Sequence, residues 1–182
     1  MSMTTCHRLS DARGFTVAEV LIAAVIVTLA FVALATVVPI ASYGVQEGYQ
    51  VSTATFLADQ KLEQAKNLPW VSSPANDCLG VSASPTAAPT VPAGGSCNGG
   101  AAGAAITQLA DEAPITNPAG FTAYSRTVRI TDCGSGGGCA GVVDSGMRLV
   151  TVTATYTPLN ATGTTGTTGP KSVQVQMVVS QR

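Results

Sequence analysis

The sequence predicts an α+β protein in which a long N-terminal apolar helix lies, by its C-terminal half, on a small antiparallel β-meander. Three observations predict it. Residues 20–38 form an apolar run broken only by Thr28 and Thr36. Farther on, Val51, Ala54, Ala58, Leu62 and Ala65 recur at spacings of three and four, the repeat of one helix face. Residues 121–130, 147–156 and 171–179 then alternate with period two and are rich in β-branched side chains, the pattern of half-buried strands.

The first element follows a polar leader, residues 1–14, carrying Arg8 and Arg13; the next basic residue is Lys61. The bias of basic residues toward the cytoplasmic side keeps this leader in the cytoplasm and puts the bulk of the chain across the membrane. At about 1.5 Å per residue, residues 20–38 span roughly 28 Å, close to the thickness of a hydrocarbon core. We assign residues 15–40 to the spanning helix and 41–68 to its amphipathic continuation, with Asp59, Lys61, Glu63 and Lys66 largely off the apolar stripe. Pro69 ends the helix near Leu68, because the residue before a proline is driven out of the helical region. Pro39 cannot donate to the carbonyl of Ala35, which predicts a kink or local unwinding there. Glu19 sits in the apolar segment with no evident partner in its own chain. A charge at a bilayer centre costs about 2.5–3.5 kcal/mol on insertion scales, so a partner outside the chain is expected.

Residues 69–119 read as an irregular insert, punctuated by Pro85, Pro89, Pro92, Gly94-Gly95 and Gly99-Gly100, with a short helix over 106–110. Asp111-Glu112 resembles a catalytic acid pair only superficially; on a polar loop both carboxylates are expected to be solvated. Residues 120–182 form the antiparallel sheet. Tyr124, Val128 and Ile130 are placed on the core face of the first strand, interrupted by Arg126, and Leu149 with Met147 on that of the second. The Thr/Gly-rich connection over 160–170 ends in Gly169-Pro170-Lys171-Ser172. Its proline breaks the Gly-Lys-Ser of a phosphate loop, and it joins two strands instead of a strand and a helix. Asn160-Ala161-Thr162 fits a glycosylation acceptor pattern and reads as a surface loop.

Composition restricts the chemistry. Charged residues are 10% and aromatic residues 5% of the 182. With the leader removed, seven basic residues face nine acidic ones, so no basic footprint for nucleic acid is implied. The only histidine, His7, lies in the leader; the remaining chain holds no Ser-His-Asp, Cys-His or histidine-metal arrangement. No catalytic residue, metal or cofactor is expected. Cys6 also lies in the leader, leaving Cys78, Cys97, Cys133 and Cys139. Three pairings are open, and proximity favours Cys78 with Cys97 and Cys133 with Cys139. Disulfides would place this region in an oxidising compartment.

Gly14, followed by Phe15-Thr16, Glu19 and the apolar run, resembles the processing and assembly motif of type IV pilins and type II secretion pseudopilins. The resemblance implies cleavage after Gly14 by a prepilin peptidase and N-methylation of Phe15. It also implies retention of the helix in the mature protein, with Glu19 meeting the terminal amine of a neighbouring subunit. The implied location is the bacterial inner membrane, among its lipids, with the C-terminal domain outside the cytoplasm, and then a filament. Major pilins carry a helix proline slightly closer to the cleavage site than Pro39, and many enclose a strand in their C-terminal disulfide. Cys133 and Cys139 instead bracket a short glycine-rich tip, which favours a minor pilin or a pseudopilin over a major subunit. The alternatives are a minor pseudopilin and a secreted disulfide-bonded β domain whose signal peptide is cut after Ala33-Leu34-Ala35. A cationic patch of Arg126, Arg129 and Arg148, suited to a tip binding module, requires that the strands align them.

Overall fold

The computed structural model describes residues 14–71, 76–97, 99–135, 138–158 and 169–181. The leader through residue 13, with Cys6, His7, Arg8 and Arg13, and the connection over 159–168, with the glycosylation pattern, lie outside the described residues. One long helix, α1 (Val17–Lys66), is followed by a two-stranded ribbon of β1 (Val81–Ser82) and β2 (Pro89–Thr90). A single 3-10 turn, Thr107–Leu109, follows within the predicted short helix. The three-stranded antiparallel sheet is β3 (Tyr124–Asp132), β4 (Met147–Tyr156) and β5 (Lys171–Ser180), in the order β3-β4-β5. The chain is therefore α+β, with two compact units, Met1–Ser42 and Tyr43–Arg182.

In the first unit, every residue from 14 to 38 is exposed, and large apolar side chains range from 51% exposed at Val27 to 86% at Phe15. This helix is long and apolar enough to cross a membrane. The two polar residues of the apolar run, Thr28 and Thr36, donate their hydroxyls to Val25 O and Ala33 O, both at 2.8 Å. Their polarity is thus satisfied inside the helix, as an apolar surrounding requires. α1 is continuous across Pro39 with no unwound turn.

In the second unit, the helix becomes one-sided. Ala54, Ala58, Leu62 and Ala65 form a core with Val128, Ile130, Val150, Val152 and Ala154. The helix contributes mostly small side chains to this core, while the β-branched residues fill the pleated surface of the sheet. Val51, assigned to the same stripe, is 38% exposed, whereas Leu57 is fully buried. The helix ends as Asn67 donates its backbone and side-chain N–H groups to Glu63 O, at 3.2 and 2.9 Å, before Pro69.

The sheet register corrects one expectation. Val128 opposes Val152 and Ile130 opposes Val150, and directly opposed residues share a face. The core face of β4 is therefore Val150, Val152, Ala154 and Tyr156, and Leu149 and Met147 lie on the other. Burying the Leu149 row would have buried Thr151, Thr153 and Thr155 with it, at the cost of desolvating three hydroxyls.

The insert is more ordered than its composition predicts. Cys78 and Cys97 are bonded, as are Cys133 and Cys139. Beside the first bridge, Asp77 receives Arg148 through two hydrogen bonds of 2.7 and 2.6 Å. The Arg148 guanidinium lies 4.3 Å from the ring centroid of Trp70. Its Nε has no hydrogen-bond partner, so the stacked ring and the two-pronged carboxylate compensate its burial. Gly80 closes this corner at φ 67°, where an added Cβ would meet Thr90 O at 2.5 Å.

Leu57→Ala should destabilise the head by about 2–5 kcal/mol, the range for truncating a buried leucine. Denaturant titration of the full chain in detergent, followed by the fluorescence of Trp70, the single tryptophan, reads the head alone. A loss below about 0.5 kcal/mol, the level of an ordinary surface substitution, would show that this face of the helix is not core.

Candidate functional site

The predicted site residues fall at the start of α1. Thr16 precedes the first helical residue, Val17, and Glu19 lies in the first turn. The backbone N–H of Thr16 donates to Glu19 Oε2 at 3.0 Å, and the Thr16 hydroxyl donates to the same oxygen at 3.2 Å. In return the Glu19 N–H donates to Thr16 Oγ1 at 3.2 Å. This is a capping box, in which threonine and glutamate three residues apart satisfy each other's backbone donors at a helix start.

One expectation about Glu19 is thereby corrected: it has a partner in its own chain, the Thr16 backbone N–H and hydroxyl. An anion in a first turn also faces the positive end of the helix dipole. The Thr-x-x-Glu spacing was readable in the sequence; the carboxylate was weighed only as a charge in an apolar run, and its capping geometry was missed. Gly14 and Phe15 are both exposed, and Phe15 is 86% accessible. Pro39 lies within the continuous helix, away from this end.

The other charged residues serve the head. Glu112 accepts from Lys61 Nζ at 2.7 Å and from Arg126 Nε at 3.0 Å. Arg126 also donates to Leu57 O, at 3.2 Å, and to Gln60 Oε1, at 3.1 Å. This cluster ties α1 to β3 and to the insert. Lys61, expected off the apolar stripe, is only 3% exposed, and Arg126 only 5%; each tolerates burial because Glu112 meets it. Asp111 binds Arg129 at 2.6 and 2.8 Å. The adjacent carboxylates expected to be solvated are thus both ion-paired. The cationic patch is not formed either, since Arg126, Arg129 and Arg148 are each met by a carboxylate of their own.

Among the described residues, no group of His, Cys, Asp and Glu side chains is arranged to hold a metal. A surface depression lined by Val45, Gln46, Tyr49, Gln50 and Tyr124 offers no nucleophilic thiol, imidazole or carboxylate. No family model, curated protein or solved structure matches this chain.

Burial alone would raise the pKa of Glu112, but its hydrogen bonds and charge interactions with Lys61 and Arg126 outweigh this and hold it below 4.5. A carboxyl lowered by folding stabilises the head fully above its unfolded pKa, and that contribution is lost as pH falls through the folded value. Acid titration of Trp70 fluorescence should show this loss below pH ~4.5, and Glu112→Gln should flatten that limb while lowering stability at pH 7. An unchanged acid limb in Glu112→Gln would refute the assignment.

Proposed function

We propose that this chain is a structural minor pilin, processed by prepilin peptidase between Gly14 and Phe15 and incorporated into, or priming, a type IV pilus. The observation that carries the proposal is the pairing of two features in one helix. Its apolar residues are exposed over 14–38, and its first turn holds a carboxylate beside the Gly14-Phe15 junction. An all-round apolar helix needs lipid or other helices around it. Removal of the leader would create a positive amine at Phe15, four residues from Glu19, in every copy. Bundled helices would then be held in axial register by each amine seeking a neighbour's carboxylate, a specificity role for a buried charge.

The head supports this reading in a different way. It carries its own core and two disulfides, which suits a domain displayed in an oxidising compartment outside the inner membrane. Its buried charges, Lys61, Asp77, Arg126 and Arg148, hold its own elements together, and the depression near Tyr49 is lined by no thiol, imidazole or carboxylate.

The capping box supplies a discriminating test. Glu19→Gln keeps a residue able to cap and removes the charge, whereas Glu19→Ala removes both. Both variants should be processed normally, and both should fall about tenfold or more in sheared filaments, equivalent to ~1.4 kcal/mol. If Glu19→Gln assembles like wild type while Glu19→Ala does not, the glutamate is a helix cap and its charge has no assembly role.

A further inference from the structure

The Cys78–Cys97 disulfide and the buried Arg148–Asp77 pair share one short segment. Asp77 directly precedes Cys78, and Ser96 directly precedes Cys97. The Asp77 N–H donates to Ser96 O at 2.6 Å and the Cys78 N–H to Pro69 O at 2.9 Å, and Asp77 forms a single β-bridge with Trp70. The segment is thus held to Pro69-Trp70 by backbone bonds and to Ser96-Cys97 by a backbone bond and the disulfide. Its carboxylate closes a charged corner. Asp77 accepts both terminal nitrogens of Arg148, at 2.7 and 2.6 Å, and the Gly80 N–H at 2.9 Å. Trp70 is stacked on the same guanidinium, and all three side chains are buried.

Two charges are tolerated out of water when each is held against the other, and one left buried alone is strongly destabilising. Arg148 is positioned by β4, where it opposes Asp132 on β3 and Val179 on β5. Asp77 lies outside the strands, and its position rests on the contacts to Pro69-Trp70 and Ser96-Cys97. Opening the disulfide frees Ser96-Cys97 and loosens Asp77 with it. The corner therefore has a closed form, with the bridge made and the pair dry, and an open form, with two thiols and both charges hydrated. Coupling of this kind is reciprocal: the pair favours the bridge by the same factor as the bridge favours the pair. The bridge also has an exposed side. Cys78 is buried, whereas Cys97 is half-buried and lines a surface depression with Val91, Gly100, Ala104 and Thr107.

We propose that Cys78–Cys97 is a redox latch on this corner of the head, entered at Cys97, whose opening releases Asp77 from Arg148 and uncovers Trp70 while the three-stranded sheet stays folded. The reductant is a dithiol. One of its thiolates attacks Cys97 Sγ and displaces Cys78 as a thiolate. Its second thiolate then attacks its own sulfur in the mixed disulfide and displaces Cys97, leaving the reductant as a cyclic disulfide. Two electrons pass to the protein disulfide, and the two protons of the dithiol end on Cys78 and Cys97. Closure runs through the same mixed disulfide in reverse. The latch uses residues of the head alone and is independent of the processing and assembly proposed above.

Equilibration of the full chain in detergent with mixtures of reduced and oxidised dithiothreitol tests the coupling, with the redox state of Cys78–Cys97 read by alkylation and peptide mass. Arg148→Met strands the Asp77 charge in the closed form only. The equilibrium constant for closing Cys78–Cys97 should therefore fall about tenfold or more, with the β3–β4 ladder still protected from hydrogen exchange. An unchanged constant would make the bridge and the pair independent and overturn the proposal. A second measurement leaves the pair intact. Cys78→Ala/Cys97→Ala, which keeps Cys133–Cys139, should speed exchange of the amides of residue 77, residue 78 and Gly80 about tenfold or more. It should also shift Trp70 emission to longer wavelength, with the ladder protected as before. Unchanged amides at 77–80 would reduce the bridge to a passive staple, and loss of protection along the ladder would make it a support of the whole head; each contradicts the latch. Brief treatment with glutathione, quenched in acid, should leave the mixed disulfide on Cys97, and its recovery on Cys78 would refute entry at Cys97.

Discussion

The head depends on a single layer of contact, in which Ala54, Ala58, Leu62 and Ala65 of α1 share a core with Val128, Ile130, Val150 and Val152. The sequence of the helix is constrained to small or aliphatic residues there, and the sheet to a matching row. The charged cluster follows from the same constraint. Arg126 stands in the core row of β3, between the helix and the insert, and its charge is tolerated because Glu112, Gln60 and the Leu57 carbonyl meet it. Removing one partner would leave a buried charge unmatched, which costs more than the pair gains.

That one-sided packing begins only in the second half of α1. Over the first half the same helix carries apolar residues that are exposed throughout. A single continuous element therefore has two kinds of surface, one matched to the sheet domain and one apolar and exposed. Thr28 and Thr36 fit the latter because each closes its hydroxyl on its own helix. Glu19 fits it through the capping box, which holds the carboxylate in the first turn by contacts from Thr16. Under the proposed function, a glutamate so held would lose less conformational entropy on meeting an outside charge.

The long helix and the three strands were legible because their periodicities are strong: the apolar run, the stripe from Ala54 to Ala65, and the alternation of Thr and Val along 147–156. The facing of β4 was misread because Leu149 and Met147 are its largest aliphatic residues, whereas burial followed the row free of threonine hydroxyls. Lys61 was placed outside the core because charge normally excludes burial; its partner Glu112 lies 51 positions away, and no local pattern announces such a pair. The ribbon of β1 and β2 is only two residues per strand, too short for alternation to register. At the helix start the opposite held: the Thr16-x-x-Glu19 spacing was visible, but the charge drew attention from the cap.

The proposed function requires that the apolar helix be retained in the mature protein and begin at Phe15. Intact-mass and N-terminal peptide analysis of the protein from its native membrane tests this most directly. The expected terminus is Phe15 carrying one added methyl group, lost when the membrane peptidase is deleted. A terminus at Thr36, or a chain that retains residues 1–14 in assembled material, would contradict it.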